Sequence, residues 1–143
     1  MILQSKYFDL KELVCPHVIA KYGQRSWQFL DSRLIYTIDT FRERIGKRIF
    51  VNTGDLTQRG LRCTQCEIVK AKIQAGELYM SAHVLGKAID CNVEGMEADE
   101  VRLWIAKRPG FFPYSIRLET GISWVHLDTY PNPTTEKIYF FKP

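Results

Sequence analysis

The chain has no hydrophobic run long enough to cross a bilayer. Its unbroken apolar stretches are short, as in Ile138–Phe141, against the roughly 20 residues that a spanning helix needs. It also lacks the apolar centre of a secretory signal, because Gln4, Ser5, Lys6 and Asp9 interrupt residues 1–10. The expectation is synthesis in the cytoplasm, with any work outside the cell reached after lysis or by another release route. No internal repeat, low-complexity tract or block of like charge is present, which argues against solenoids and disordered interaction tails. Histidine and cysteine are scarce, with three and four in 143 residues. What remains is a globular composition, 45% hydrophobic and 25% charged, enough for one domain whose core needs no disulfides. The net charge is +4, with the basic residues spread over Arg42/Arg44/Lys47/Arg48, Arg59/Arg62 and Lys107/Arg108. Such a balance suits a polyanionic partner without forming a nucleic-acid arm. A monomer that binds no nucleic acid is expected.

The apolar spacing outlines the elements. Asp9 and Glu12 predict a short helix over 9–13 inside an otherwise irregular 1–25. Trp27, Leu30, Leu34, Ile38, Phe41 and Ile45 recur every three or four residues and predict one long amphipathic helix ended by Gly46. Residues 66–75 and 98–107 predict two further helices. Residues 48–52, 87–93, 114–119, 123–128 and 137–141 predict short strands. Helices come first and strands gather late. That order favours an α+β fold with a small, mostly antiparallel sheet.

Two of the three histidines stand in unusual company. His83 lies in SAHVLGKAID (81–90), where Gly86 allows a turn and Ala88 and Asp90 share a strand face. His126 lies in WVHLD (124–128), where Trp124, His126 and Asp128 share one face and Val125 and Leu127 the other. If the two strands are neighbours, His83, Asp90 and His126 converge as two nitrogens and a carboxylate. That is a donor set used by catalytic zinc, with a fourth position left for water. Each residue alone is more ordinarily a hydrogen-bonded histidine or a strand-end carboxylate, and this spacing is not a helical His-Glu-x-x-His signature.

The pattern Ser-x-His-x-x-Gly-x-Ala-x-Asp followed by Trp-x-His-x-Asp resembles the zinc D-alanyl-D-alanine carboxypeptidase family. Its relatives include phage L-alanyl-D-glutamate endolysins and the hedgehog signalling domain. The loop QRGLR (58–62), the run VEGMEADEVRLWI (93–105) and the RLE of 117–119 resemble its short phage and bacterial form. The likeness extends over about residues 8–128. It implies a hedgehog/DD-peptidase-like fold, catalytic zinc on His83, Asp90 and His126, and hydrolysis of peptidoglycan stem peptides. It implies that Arg62, or in the alternative Arg59, polarises the scissile carbonyl, and that Ser81 and Asp128 hydrogen-bond the ligand imidazoles. Many relatives carry a Glu three residues before the last zinc histidine, where this chain has Ser123. Glu119, across a hairpin turned at Gly121, is then the candidate general base, with Asp128 as the fallback; a strand-end surface carboxylate, or a partner for Arg117, is the ordinary reading of Glu119. A non-catalytic zinc-containing binding module and a zinc-free domain remain competing readings.

Cys63 and Cys66 form a Cys-x-x-Cys pair, and Cys15-Pro16-His17 adds a thiol and an imidazole. Together they match a closed structural zinc of three cysteines and one histidine. Inert thiols and a redox pair are the alternatives. Cys91 falls on the face opposite Asp90 and is expected to be a core thiol.

Overall fold

The computed structural model describes residues 1–143. Five helices, α1 (Leu10–Leu13), α2 (Pro16–Tyr22), α3 (Ser32–Ile45), α4 (Glu67–Gln74) and α5 (Ala98–Ala106), accompany five strands. The strands are β1 (Ile49–Phe50), β2 (Ala88–Val93), β3 (Ile116–Glu119), β4 (Val125–Asp128) and β5 (Ile138–Phe141), ordered β1-β2-β4-β3-β5 in one sheet. The α+β architecture is as the sequence predicts. Three of the four strand pairings are antiparallel, and β5 joins β3 in parallel.

Alternation along the strands sorts the sheet into two faces. Ile89, Cys91 and Val93 of β2, Ile116 and Leu118 of β3, and Val125 and Leu127 of β4 enter the hydrophobic core with Leu34, Ile35, Ile38 and Phe41 of α3 and Val101 and Ile105 of α5. Each such buried side chain contributes roughly 1.5–3 kcal/mol. The opposite face carries Ala88 and Asp90, Arg117 and Glu119, and His126 and Asp128. The thiol of Cys91 is fully buried, as expected, and burial pushes its pKa up to about 12.

Two expectations are corrected. The long helix begins at Ser32 and not near Trp27. Residues Gly23–Phe29 form a 3-10 run, and Leu30 is extended, φ −90° and ψ 131°. Asp31 is the N-cap, accepting from the Arg33 N–H at 2.8 Å, and its own N–H donates to the Gly86 carbonyl at 2.9 Å. That bond across the molecule outweighs the periodicity. The segment 1–25 is also less irregular than its composition suggests, since Pro16 at the first helical position starts α2. Gly46, at φ 66°, ends α3 as predicted.

Candidate metal centre

Asp90 and His126 are direct partners in the β2–β4 register, which is what brings the two sequence motifs together. His83 reaches them from the turn 82–86. Gly86 makes that turn possible: its φ is +68°, and a Cβ there would lie 2.0 Å from the Phe29 carbonyl oxygen. The result is a buried cluster. His83 Nε2 lies 3.3 Å from Asp90 Oδ2, and His126 Nδ1 lies 2.9 Å from Asp90 Oδ1. One donor atom from each of the three residues falls within 4.8 Å of the others. Donors bound to one ion at about 2.0–2.2 Å stand about 3.3–3.6 Å apart in a tetrahedron; the His83 contact matches that edge, and the His126 contact, made to the other carboxylate oxygen, is shorter.

The outer atoms of both imidazoles are spoken for. His83 Nδ1 donates to the Gly60 carbonyl at 2.9 Å, so its Nε2 lone pair faces the cluster. His126 Nε2 donates to Asp128 Oδ2 at 2.7 Å, which turns Nδ1 inward. Asp128 is itself held by a bidentate pair to Arg117, at 2.8 and 3.0 Å, and by the Tyr130 N–H at 3.0 Å. A carboxylate behind a ligand imidazole fixes its tautomer and raises its basicity.

The charges follow from these contacts. Burial opposes a charge on His126, but the hydrogen bonds and negative charges of Asp128 and Asp90 outweigh it and raise the metal-free imidazole to about 9. Burial likewise disfavours ionised Asp90, yet its bonds to His126 and His83 hold it well below the usual carboxylate range. Asp128 is lowered against its own burial by His126 and Arg117. Without a metal, both carboxylates stay ionised and His126 keeps its proton across the physiological range, with Arg62 and Arg117 paired to the two carboxylates.

The cluster opens on a cleft of about 370 Å³ walled by Arg62, Tyr79, Glu119, Trp124, Tyr130 and Phe141. A larger cavity of about 670 Å³ lies by Tyr7, Glu12, Arg42 and Arg48, and no ligand residue lines it. Donor chemistry and buried charge, more than volume, mark the smaller one as the site.

Arg62 is buried in this site. Its Nη2 donates to Asp90 Oδ2 at 3.1 Å and its Nε to the Gln58 carbonyl, which leaves Nη1 without a partner. Arg59 goes elsewhere, donating to Asn92 Oδ1 at 2.6 Å, and does not line the cleft. Glu119 ends β3, and the β3–β4 register continued by one residue sets it opposite His126. It is half-buried on the cleft wall, and no hydrogen bond or ion pair engages its carboxylate. Of the two ordinary readings, the pair with Arg117 does not form, because Arg117 serves Asp128, and the strand-end carboxylate is what the structure shows.

Two expected roles are corrected. Asp128 cannot be the fallback base: it is fully buried, and His126, Arg117 and Tyr130 occupy both its oxygens. It is a positioning residue. Ser81 does not hold an imidazole; its Oγ accepts from the Val84 N–H at 3.3 Å within the turn, and the Gly60 carbonyl takes the place intended for it.

Two contributors receive no role from the sequence motifs. Gln58 adopts φ 58°, the only positive φ outside glycine, and its carbonyl receives Arg62. Arg102 of α5 is buried and donates to the carbonyls of Glu119, Ile122 and Trp124, at 3.3, 2.8 and 2.9 Å. It pins the hairpin that separates Glu119 from His126. An arginine in the middle of the apolar rhythm of 98–107 was the available hint.

A second group of donors, Cys15, His17, Cys63 and Cys66, also lies within 4.8 Å of one another and can hold a metal ion such as zinc. All four cysteines are free thiols. No helix is long and apolar enough to cross a membrane. Comparison of the chain with protein-family models, curated proteins and solved structures finds no match.

Proposed function

We propose that the chain is a zinc-dependent peptidase acting on peptide bonds of bacterial peptidoglycan stem peptides. The observation that carries the reading is the open cleft in which His83, Asp90 and His126 meet a partner-free carboxylate, Glu119, and a buried arginine, Arg62. The substrate class rests on the resemblance of the two motifs to the D-alanyl-D-alanine carboxypeptidase family.

His83, Asp90 and His126 fit zinc as three protein ligands and would hold it at the cleft wall. Zinc bound there supplies a Lewis acid and lowers the pKa of water at that position to about 7. Glu119 accepts the proton of the attacking water on its carboxylate and returns it to the leaving amine. Arg62 places a fixed cation beside the scissile carbonyl, where negative charge develops as the tetrahedral state forms. Asp128, steadied by Arg117, and the Gly60 carbonyl hold the two imidazoles in their ligand tautomers.

The test is release of free amines from purified peptidoglycan and from synthetic stem peptides, with the zinc content measured on the same samples. Glu119→Gln should keep its zinc and lose about 10²–10⁴-fold in kcat. A wild-type protein that holds zinc on His83 and His126 yet cleaves no wall fragment would overturn the peptidase reading in favour of a binding module. Full activity in Glu119→Gln would remove Glu119 as the base.

A further inference from the structure

We infer that Cys15, His17, Cys63 and Cys66 bind a second zinc ion in a closed four-ligand site, and that this ion clamps the 58–62 strip onto the first site. The second ion is argued independently of the peptidase reading. The clamp rests on that reading, because its consequence is the placement of Arg62 and Gly60.

The geometry of the donors fits one ion at their centre. Zinc–sulfur bonds of about 2.3 Å and zinc–nitrogen bonds of about 2.0–2.1 Å in a tetrahedron put sulfurs about 3.8 Å apart and sulfur and nitrogen about 3.6 Å apart. The observed separations are 3.9 Å between the Cys63 and Cys66 sulfurs, 3.6 Å from Cys63 Sγ to His17 Nδ1 and 3.7 Å from Cys66 Sγ to His17 Nδ1. A disulfide between Cys63 and Cys66 would bring those sulfurs to about 2.05 Å. Backbone N–H groups also aim at the sulfurs: Gln65 N–H at Cys63 and Cys63 N–H at Cys66, 3.3 and 3.4 Å away. Such donors favour thiolate ligands over thiols. Cys15 and Cys66 are buried against Val69, beside Val18 and Val84. Four protein ligands fill a tetrahedron and leave no position for water or substrate, which marks a structural ion.

The four ligands come from two distant segments, the start of α2 and the stretch leading into α4. Between them runs the strip that serves the first site. On its outer side Leu61 N–H donates to the Leu13 carbonyl at 2.8 Å, and Cys15 N–H to the Leu61 carbonyl at 3.2 Å. Gly60 approaches so closely that a Cβ would stand 2.1 Å from the Leu13 oxygen. Gln58 Oε1 accepts from Ile68 N–H in the first turn of α4 at 2.9 Å. On its inner side the Gly60 carbonyl receives His83, Arg62 N–H donates to the His83 carbonyl at 3.3 Å, and the Arg59 carbonyl receives Asp90 N–H at 2.7 Å. An ion joining the start of α2 to the start of α4 holds both outer anchors of this strip at once.

The experiment uses the full chain. Elemental analysis should count two zinc ions in wild type, one in Cys63→Ser/Cys66→Ser and one in His126→Ala. Cobalt replacing zinc in wild type and in His126→Ala should show thiolate-to-cobalt charge-transfer absorption, and the serine double variant should lose it. Hydrogen exchange at the Leu61 and Arg62 amides should quicken at least about tenfold in the double variant and stay protected in His126→Ala. Wild-type cobalt protein without thiolate charge transfer, or a Cys63–Cys66 disulfide in the purified chain, would overturn the second site without any variant having to fold. Two zinc ions with unchanged protection at residues 61 and 62 would overturn the clamp and leave the ion. Two zinc ions and an intact clamp in a protein that cleaves nothing would overturn only the peptidase reading.

Discussion

The two donor clusters of this chain are built on opposite plans. The first is set on adjacent strands of the sheet, uses two imidazoles and a carboxylate, and faces a cleft that also holds Arg62 and Glu119. The second is set on loop segments at the starts of two helices, uses three thiols and an imidazole, and is backed by valines. An ion held by two imidazoles and a carboxylate would keep one tetrahedral position open; one held by three thiolates and an imidazole would have none. The difference teaches that ligand count and the element that carries the donors, more than the presence of donors, set what a metal cluster can do.

The sharpest way to break this contrast is His126→Ala. We expect loss of zinc from the first site and of peptide-bond cleavage by at least about 10³-fold, with thiolate absorption of the cobalt form retained. Equal loss of both ions would mean that the clusters are one cooperative unit. Arg62→Ala should keep both ions and lower kcat by about 10²–10³-fold, as removal of one group stabilising the oxyanion does; a change confined to KM would make Arg62 a substrate-binding residue only.

Arg102→Met tests whether the cleft wall depends on α5. Three hairpin carbonyls would lose their buried donor, and denaturant unfolding should show a loss of about 2–3 kcal/mol with metal content unchanged. The last expected effect is one of pH. In the metal-free protein His126 is raised from its ordinary 6.5 to about 9. The folded state therefore holds its proton more tightly than the unfolded chain. That stabilisation is complete below about pH 6.5 and is lost as pH rises through about 9. Zinc-loaded protein should lack this decline from His126, because a ligand imidazole has no proton at the bound nitrogen. A metal-free protein with flat stability from pH 6 to 9 would contradict the assignment.

Much of the first site was legible before the fold. Alternation in WVHLD and in the strand ending at Val93 placed His126 and Asp90 away from the core, and Gly86 marked the turn that returns His83. The second site was legible as donor types and spacing, with its alternatives open. Less visible were the roles set by partners distant in sequence. Asp128 reads equally well as a base or as a support until Arg117 and Tyr130 fill its oxygens. Ser81 reads as an imidazole partner until the Gly60 carbonyl takes that place. The helix was extended back to Trp27 because apolar periodicity does not distinguish a 3-10 run packed on the core from the helix that follows it.

By itself the amino-acid order determined which residues can act as metal donors, the faces of the strands and the main helix stops, since these depend on side-chain type and on local backbone periodicity. Only the tertiary structure decided the pairing of β2 with β4, the parallel return of β5, the placement of Arg62 rather than Arg59 beside Asp90 and the unpaired state of Glu119. Those depend on which hydrogen bonds close over long stretches of chain, and each is settled by competition among groups that meet only after folding.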